Sequence, residues 1–285
     1  MKLGFLTPFS KDIVEFAGKG PFECLEIGGA PKEWLGDTDE AKKAREEAKK
    51  ILKDNNIIVA SIMSPLPSLR TPKNEMKSKL ESMGAIMDVC KDMGNAVYTS
   101  AGPSGYDTSK SLQDNVAVYK EVYSPVSELA AKKGIKIAFE NWPGGRVFGE
   151  GANLPVTPQV WELMFNALPA EFIGLEFDPS HLMWQWIDPY QAAKDFSKHI
   201  FMVHLKDTEI FYDRLERVGN HGNGWWTYRL PGFGELDWHE FFTTIYEAGY
   251  DGNMVIEHED PIFDGPRRRE GFTLGGNFLR KVLLV

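Results

Sequence analysis

One stretch sets the pattern for the whole chain: FIGLEFDPSH, residues 172–181, in which an apolar run ends in polar residues. A short continuous apolar run of this kind is typical of a fully buried parallel strand. Seven other runs along the chain share this pattern. The eight predicted strands are 3–7 (LGFLT), 22–28 (FECLEIG), 57–63 (IIVASIM), 96–101 (AVYTSA), 135–141 (IKIAFEN), 172–178 (FIGLEFD), 200–207 (IFMVHLKD) and 253–259 (NMVIEHE).

Helical patterns fill the intervals between these runs. Their apolar residues recur three and four positions apart among charged residues, which is typical of a helix with one buried face. The predicted helices are 39–53, 76–93, 112–133, 158–167, 189–198, 236–248 and 275–284, with room for only a short helix in 9–20. Pro125 lies inside the third of these helices and predicts a kink or a split there, because proline lacks a backbone N–H.

Eight strands that alternate with helices predict the α/β class and a single domain, residues 1–285, folded as a (β/α)8 TIM barrel. A doubly wound open sheet is the alternative. The nucleotide-binding fingerprints are missing, since no GxGxxG follows the first strand and no GxxxxGK[ST] occurs in the sequence. Two long segments, 142–157 and 208–235, follow strands on the side where barrel active sites are built, and loops of this length are usually functional.

Composition restricts both the partners and the location of the protein. The 285 residues carry a net charge of −9, which disfavours broad electrostatic capture of nucleic acid or of an anionic membrane. Two cysteines, Cys24 and Cys90, are too few for a disulfide framework and favour a reduced cytoplasmic protein. The first residues do not form a signal peptide, and no apolar run approaches the length of a transmembrane helix.

Four successive predicted strands, the fifth to the eighth, each finish with a carboxylate or an imidazole. The residues concerned are Glu140, Asp178, His204 and Glu257. Charges this close to a buried core are costly unless they are paired or bound to a metal. Three carboxylates and one imidazole suit one divalent ion, with Mn2+ or Mg2+ favoured and Co2+ or Zn2+ possible. The alternative is that some of these residues are rim charges paired with Arg or Lys.

Several segments carry a resemblance to a known family. FEN, FDPSH, VHLKD, LPGFGELDW and VIEHED resemble the xylose isomerase-like superfamily of sugar isomerases and epimerases, and the resemblance covers essentially the whole chain. It implies a (β/α)8 barrel whose divalent metal is held by Glu140, Asp178, His204 and Glu257. In the ketose 3-epimerases of this superfamily the two glutamates also move the proton, and the position of His181 contacts the sugar.

One departure from these epimerases bears on the substrate. They carry an arginine shortly after the histidine of the seventh strand, whereas the sixth residue after His204 is Ile210. Arg214, Arg217 and Arg229 are the candidates to replace it. The HLKD form of this strand end is more similar to the branch that handles inosose, hydroxypyruvate or 3-keto-sugar derivatives.

The chemistry expected of such a site is proton abstraction next to a carbonyl. A metal chelated by a substrate carbonyl and an adjacent hydroxyl stabilises the enediolate that forms, and we hypothesise that Glu140 and Glu257 are the acid/base pair. Return of the proton to the other face gives epimerisation, return to the neighbouring carbon gives aldose–ketose isomerisation, and loss of a β leaving group gives elimination. We therefore predict an isomerase or epimerase acting on a ketose, keto-sugar or cyclic polyol derivative. The alternative is a metal-dependent lyase or dehydratase acting on a 3-keto-glycoside or inosose.

Further residues are predicted to contact the substrate, each with a structural alternative. Lys206 binds a substrate hydroxyl, or pairs with Asp207 or Glu176. Glu26 serves the site, or forms a salt bridge inside the barrel. Trp142 forms an apolar wall against a sugar face, or packs in the fold. The last two candidates are His221 and Arg229, which lie in a Gly- and aromatic-rich segment that suits a mobile lid.

Other functional classes fit the sequence less well. Apurinic-type endonucleases of the same superfamily use three zinc ions and need histidines after strands 3 and 4, but all six histidines follow residue 180. A non-catalytic binding protein on the same barrel would be expected to lack some of the four metal ligands. No phosphate-binding Gly-rich loop is evident, so an unphosphorylated sugar or sugar derivative is expected. The aromatic residues of 211–228 leave a homo-oligomer possible.

Overall fold

Eight parallel strands close into a barrel in the computed structural model, which describes residues 1–283. Around the barrel their order is β1-β10-β7-β6-β5-β4-β3-β2, so each strand lies beside its neighbours in sequence. The barrel strands are β1 (Lys2–Thr7), β2 (Cys24–Ile27), β3 (Ile58–Met63), β4 (Val97–Ser100), β5 (Ile137–Glu140), β6 (Ile173–Phe177), β7 (Ile200–Leu205) and β10 (Asn253–Ile256). All eight coincide with predicted runs, and the closed barrel confirms the predicted fold class over the open sheet.

Helices surround the barrel and follow the predicted spacing. They are α1 (Lys11–Lys19), α2 (Asp39–Asp54), α3 (Lys73–Asp92), α4 (Leu112–Lys133), α5 (Pro158–Ala167), α6 (Ser180–Met183), α7 (Pro189–Phe196), α8 (Tyr212–Val218), α9 (Trp238–Glu247) and α10 (Arg268–Val282). Within the described residues, no helix is long and apolar enough to span a bilayer.

Two helix predictions need correction. Pro125 does not split α4, which is continuous because buried side chains on both sides of the proline, Tyr123 and Val126, hold it against the barrel; the kink, the other form of that prediction, stays a prediction. The last helix begins at Arg268, seven residues before the predicted start. Its glycines lower the local helix propensity, but Phe272 stacks on Phe5 at 4.3 Å and tertiary packing decides. Leu284, the end of that prediction, lies outside the described residues.

The segment 208–235 contains regular structure of its own. After β7 the chain forms an antiparallel hairpin of β8 (Asp207–Ile210) and β9 (Trp226–Arg229), with α8 between them. Asp237 caps α9, since its side chain accepts a hydrogen bond from the Glu240 N–H.

The inside of the barrel changes from apolar to polar along the strands. A small apolar cluster of Cys24, Ala60, Met202 and Val255 fills it at one level. Two residues further along their strands come Glu26, His204 and Glu257, which point to the same side because side chains alternate along a strand. The apolar layer therefore lies directly beneath a layer of ionisable groups at the carboxyl ends of the strands.

Candidate metal centre

The structure brings together the four residues at the ends of β5, β6, β7 and β10. Glu140, Asp178, His204 and Glu257 each offer one ligand atom, and these atoms all lie within 4.8 Å of one another. Three of the side chains are buried, and Glu257 is partly buried. Asp178 Oδ2 is buried without a well-formed hydrogen bond, and the Lys206 ammonium lies 3.1 Å from it. Three carboxylates and one imidazole whose ligand atoms lie this close together are donors that divalent ions take, so the residues present fit a divalent metal.

The two ring nitrogens of His204 have different roles. Nδ1 faces the ligand set and lies 3.1 Å from Glu140 Oε1 and 3.2 Å from Glu257 Oε2. Nε2 faces the barrel interior, 3.0 Å from Glu26 Oε2. Burial alone would lower the pKa of His204, but the negative charges of Glu176 and Glu257 hold it well above its usual range. A carboxylate behind a ligand histidine in this way fixes the ring and leaves Nδ1 free to bind metal.

Glu26 and Glu176 form a carboxylate pair behind His204. Both are wholly buried, and the Thr99 hydroxyl donates to Glu26. His204 Nε2 is also 3.1 Å from Glu176 Oε1. The hydrogen-bond geometry at Nε2 favours Glu26, and the Glu176 oxygens have no well-formed hydrogen bond. Burial and the neighbouring charge of Glu26 raise the pKa of Glu176 well above its usual range. Glu26 therefore contacts a candidate ligand, and its predicted role at the site stays a prediction.

Lys206 supplies a buried positive charge beside the ligand set. Its ammonium lies 3.1 Å from Asp178 Oδ2 and 2.9 Å from Glu259 Oε2, and it donates to Glu257. Burial would lower the pKa of Lys206, but the charges of Asp178 and Glu257 raise it well above its usual range. These partners differ from the pairing with Asp207 or Glu176 that we considered from the sequence.

Asp207 has a separate task in the loop that follows the strand. Its carboxylate accepts hydrogen bonds from the N–H groups of Gly232 and Leu236 and from the indole of Trp238. Gly234 passes so close that an added Cβ would lie 2.3 Å from Asp207 Oδ1. The segment PGFGELDW thus forms a tight loop around one buried carboxylate.

His181 lies on α6, three residues after the candidate ligand Asp178. Its Nε2 is 3.2 Å from Glu140 Oε1, and its Nδ1 is 2.8 Å from the hydroxyl of Tyr228 on β9. Sequence reasoning missed Tyr228. It lies in the aromatic segment that we singled out as a lid, but no spacing rule connects it to His181.

The other predicted substrate contacts are partly exposed or have ion-pair partners of their own. Trp142 has 41% of its surface exposed. His221 is exposed in the turn before β9. Arg229 forms ion pairs with Glu209 and with buried Asp260. The roles of these three residues at the site stay predictions.

A cavity of about 510 Å3 lies at the carboxyl ends of the first four strands. Leu6, Met63 and Pro65 give it apolar walls, Ser100 adds a hydroxyl, and Arg268 lies at its edge. It opens at the same rim of the barrel as Glu257 and Glu140, which follow the neighbouring strands β10 and β5.

Comparison with known proteins agrees with this architecture. A family model described as a xylose isomerase-like TIM barrel matches residues 14–282. The chain belongs to this family. Its xylose isomerase-like barrel is 28% identical over 301 residues to the uncharacterized protein YfiH of Bacillus subtilis (strain 168), covering 91% of this chain and 93% of YfiH. It is 26% identical over 277 residues to an inosose dehydratase of Clostridium perfringens (strain 13 / Type A), covering 93% of this chain and 87% of that protein.

Solved structures resemble it over nearly their full length. The IolI protein with a bound zinc atom superposes with a TM-score of 0.74 at 19% identity, covering 100% of both chains. The 3-keto-D-glucoside 4-epimerase YcjR from E. coli gives a TM-score of 0.69 at 18% identity, covering 99% of both chains. At these identities the likeness shows the fold.

Proposed function

We propose that the protein is a divalent-metal-dependent isomerase or epimerase that removes a proton next to the carbonyl of a ketose, keto-sugar or cyclic polyol derivative. The observation that carries this proposal is the pair of glutamates at the ends of β5 and β10. Glu140 Oε1 and Glu257 Oε2 lie 3.1 Å and 3.2 Å from His204 Nδ1, in a set of groups that fits one metal ion. Two carboxylates around one bound substrate provide one group to take a proton and another to return it.

The protonation of these glutamates supports the role of a base. Burial disfavours the ionised form of Glu140, but hydrogen bonds from His181 and His204 outweigh burial and hold its pKa well below the usual range. Burial and the charge of Glu140 act to raise the pKa of Glu257. The positive charges of Lys206 and His204 outweigh them, and the pKa lies below its usual value. Both groups are therefore carboxylates in the substrate-free protein and able to accept a proton. Before Glu257 returns a proton to the substrate, it takes one from the Lys206 ammonium that donates to it.

The remaining polar groups orient the substrate in this proposal. A divalent ion, when bound, would polarise the substrate carbonyl as a Lewis acid and stabilise the charge that develops on its oxygen. Lys206 and His181 flank the two glutamates and would donate hydrogen bonds to substrate hydroxyls. We propose Mn2+ first, because three of the four donors are carboxylates, with Mg2+, Co2+ and Zn2+ as alternatives. The zinc atom bound by IolI, which has the same fold, supports a bound metal in this protein.

A dehydratase is the second candidate, and the likeness to inosose dehydratases favours it. In that reaction one glutamate takes the proton next to the carbonyl and the bond from the β carbon to its hydroxyl oxygen breaks. The departing oxygen takes a proton from the Lys206 ammonium, directly or through Glu257, and leaves as water. The same residues serve both reactions, because both begin with the same proton transfer.

The test is deuterium exchange with a panel of ketoses, 3-keto-glucosides, inososes and hydroxypyruvate in D2O, with the protein loaded with Mn2+. We expect deuterium at the carbon next to the carbonyl of at least one compound, and the product distinguishes the candidates because only a dehydratase releases water. Glu140→Gln and Glu257→Gln should each lower the exchange rate by about 100-fold or more.

The control is Glu150→Gln, which alters an exposed carboxylate paired with Arg70 and should leave exchange unchanged. Exchange with none of the compounds, or full activity of the double variant at positions 140 and 257, would contradict the proposal.

A further inference from the structure

The hydroxyl of Tyr228 connects the β8–β9 hairpin to the candidate site. Tyr228 Oη lies 2.8 Å from Nδ1 of His181, and the two rings meet edge to face at 5.3 Å and 88°. The residues are 47 positions apart in the chain. This contact is made between two neighbouring elements, α6 and the hairpin.

The surroundings of His181 determine which ring nitrogen carries the proton. Nε2 lies 3.2 Å from Glu140 Oε1 and 3.4 Å from both Asp178 Oδ2 and the Lys206 ammonium. The three hydrogens of that ammonium are taken by the carboxylates of Asp178, Glu257 and Glu259, so Nε2 carries a hydrogen and donates to Glu140. In the neutral ring Nδ1 is then an acceptor, and the only role open to the Tyr228 hydroxyl is to donate. Burial raises the pKa of Tyr228 although Lys206 opposes the shift, so the hydroxyl keeps its proton.

The ring of Tyr228 makes a second contact with the site. The Lys206 ammonium lies 4.5 Å from the ring centroid, which is within the range of a cation–π interaction. One side chain from the hairpin thus contacts both polar groups that flank Glu140 and Glu257.

Two pairs of stacked tryptophans hold the hairpin against the segment that follows His181. Trp184 stacks on Trp226 with ring centroids 4.9 Å apart and planes 3° from parallel. Trp186 and Trp225 are likewise near parallel, with centroids 6.2 Å apart. The Thr208 hydroxyl adds a hydrogen bond of 3.0 Å to the Ser180 carbonyl. We call this arrangement of Trp184, Trp186, Trp225 and Trp226 the tryptophan clasp.

We propose that Tyr228 is a positioning residue for His181. Its hydroxyl donates to Nδ1 and keeps the imidazole in the tautomer whose Nε2–H points at Glu140 and at the substrate, while the tryptophan clasp keeps Tyr228 in place. This role rests on the proposed function, because Glu140 is the group that the oriented histidine serves.

A spectroscopic test reads the tautomer without a substrate. The full-length protein is labelled with 15N-histidine and loaded with diamagnetic Zn2+, and its six histidines are few enough to resolve. His181→Gln assigns the His181 signals. We expect a single Nε2–H tautomer in the parent, and Tyr228→Phe should shift the Nδ1 resonance because only the hydroxyl is removed. Tyr212→Phe, which removes a hydroxyl that donates to Glu235 at 2.8 Å, is the matched control. An unchanged Nδ1 resonance in Tyr228→Phe, or a proton on Nδ1 in the parent, would overturn the proposal.

A kinetic test applies once a substrate of the exchange panel is found. Tyr228→Phe should lower kcat about tenfold, with KM changed less than about twofold and with no loss of melting temperature. Tyr212→Phe should leave kcat as in the parent. Equal kcat for the two variants would overturn the positioning role and leave the proposed function standing. If Tyr228→Phe shifts the Nδ1 resonance but the parent protein exchanges deuterium with none of the compounds, the proposed function is contradicted. The contact between Tyr228 and His181 is then still supported.

Discussion

Lys206 shows at the scale of one residue how the site balances its charge. An ammonium with 1% of its side chain exposed is stable only because Asp178, Glu257 and Glu259 surround it. The same carboxylates belong to, or adjoin, the set that fits a metal. Lys206 therefore stabilises the metal-free site, and its positive charge weakens the attraction of that site for a metal ion.

Removal of this ammonium should destabilise the metal-free protein. We expect Lys206→Met to lower the free energy of unfolding in EDTA by about 3 kcal/mol or more, because buried carboxylates lose their partner. Addition of Mn2+ should raise the melting temperature of the variant more than that of the parent. Lys133→Met is the surface control, since Lys133 pairs with the exposed Asp88 and should contribute about 1 kcal/mol or less. Equal melting temperatures of Lys206→Met and parent in EDTA would refute this account.

The carboxylate behind His204 gives a second prediction for a single residue. Glu26→Gln keeps the size of the side chain but weakens the hydrogen bond to His204 Nε2. We expect the affinity for the divalent ion to fall by about 10-fold to 100-fold, as is typical when a partner of a ligand histidine is removed. Isothermal titration with Mn2+ measures the effect, with Glu23→Gln, which lies on the outside near Arg280, as the control. Parent-like affinity would show that Glu26 does not orient the histidine.

Helix α10 shows how an element is adapted to the strand beneath it. His258, which follows Glu257, points away from the barrel interior, as strand alternation predicts, and meets Phe272 edge to face at 5.3 Å. Gly271 of α10 lies directly over it, so that an added Cβ would be 2.4 Å from His258 Nε2. The helix can approach the strand closely only because this position has no side chain.

Alanine at this position should therefore be costly. We expect Gly271→Ala to lower the free energy of unfolding by about 1–3 kcal/mol, the usual effect of overpacking. Gly84→Ala in α3 is the matched control, because its Cβ would meet nothing closer than 3.9 Å and alanine favours a helix. Urea denaturation measures both variants. The same stability for Gly271→Ala and Gly84→Ala would mean that α10 can move away at no cost.

The candidate site also links distant parts of the whole molecule. Its four ligand groups come from four strands and span residues 140 to 257, so a bound ion would connect the second half of the barrel. The ends of β3 and β4 offer Ser64, Thr99 and Ser100 instead of histidines. Within residues 1–283 this set therefore offers the donors for one ion, and β3 and β4 lack the histidines that a trinuclear zinc site would need.

Metal content and heat stability should reflect this arrangement. We expect about one Mn2+ per chain by elemental analysis and a gain of about 2.7 kcal/mol in stability at 100 times the Kd. Asp178→Asn should abolish both effects, because it removes the charged ligand at the end of β6. Three tightly bound zinc ions per chain would instead favour the endonuclease-type alternative.

Most of the fold could be predicted from local patterns. Every barrel strand is a continuous apolar run, and most helix bounds agree with the predicted bounds to within a few residues. The exceptions are the unbroken α4 at Pro125 and the early start of α10 at Arg268. In both cases packing against the barrel overrides a local preference, and no pattern within the helix itself reports that packing.

The sequence by itself determined the order of strands and helices and the polar residues at the strand ends. In a parallel barrel all carboxyl ends lie at one rim, so Glu140, Asp178, His204 and Glu257 had to meet there. Only the tertiary structure decided which nitrogen of His204 faces them, which carboxylates surround Lys206, and that Tyr228 reaches His181. The physical reason is that these contacts depend on the direction of side chains from separate elements, which the stagger of the barrel and the packing of the tryptophan clasp determine.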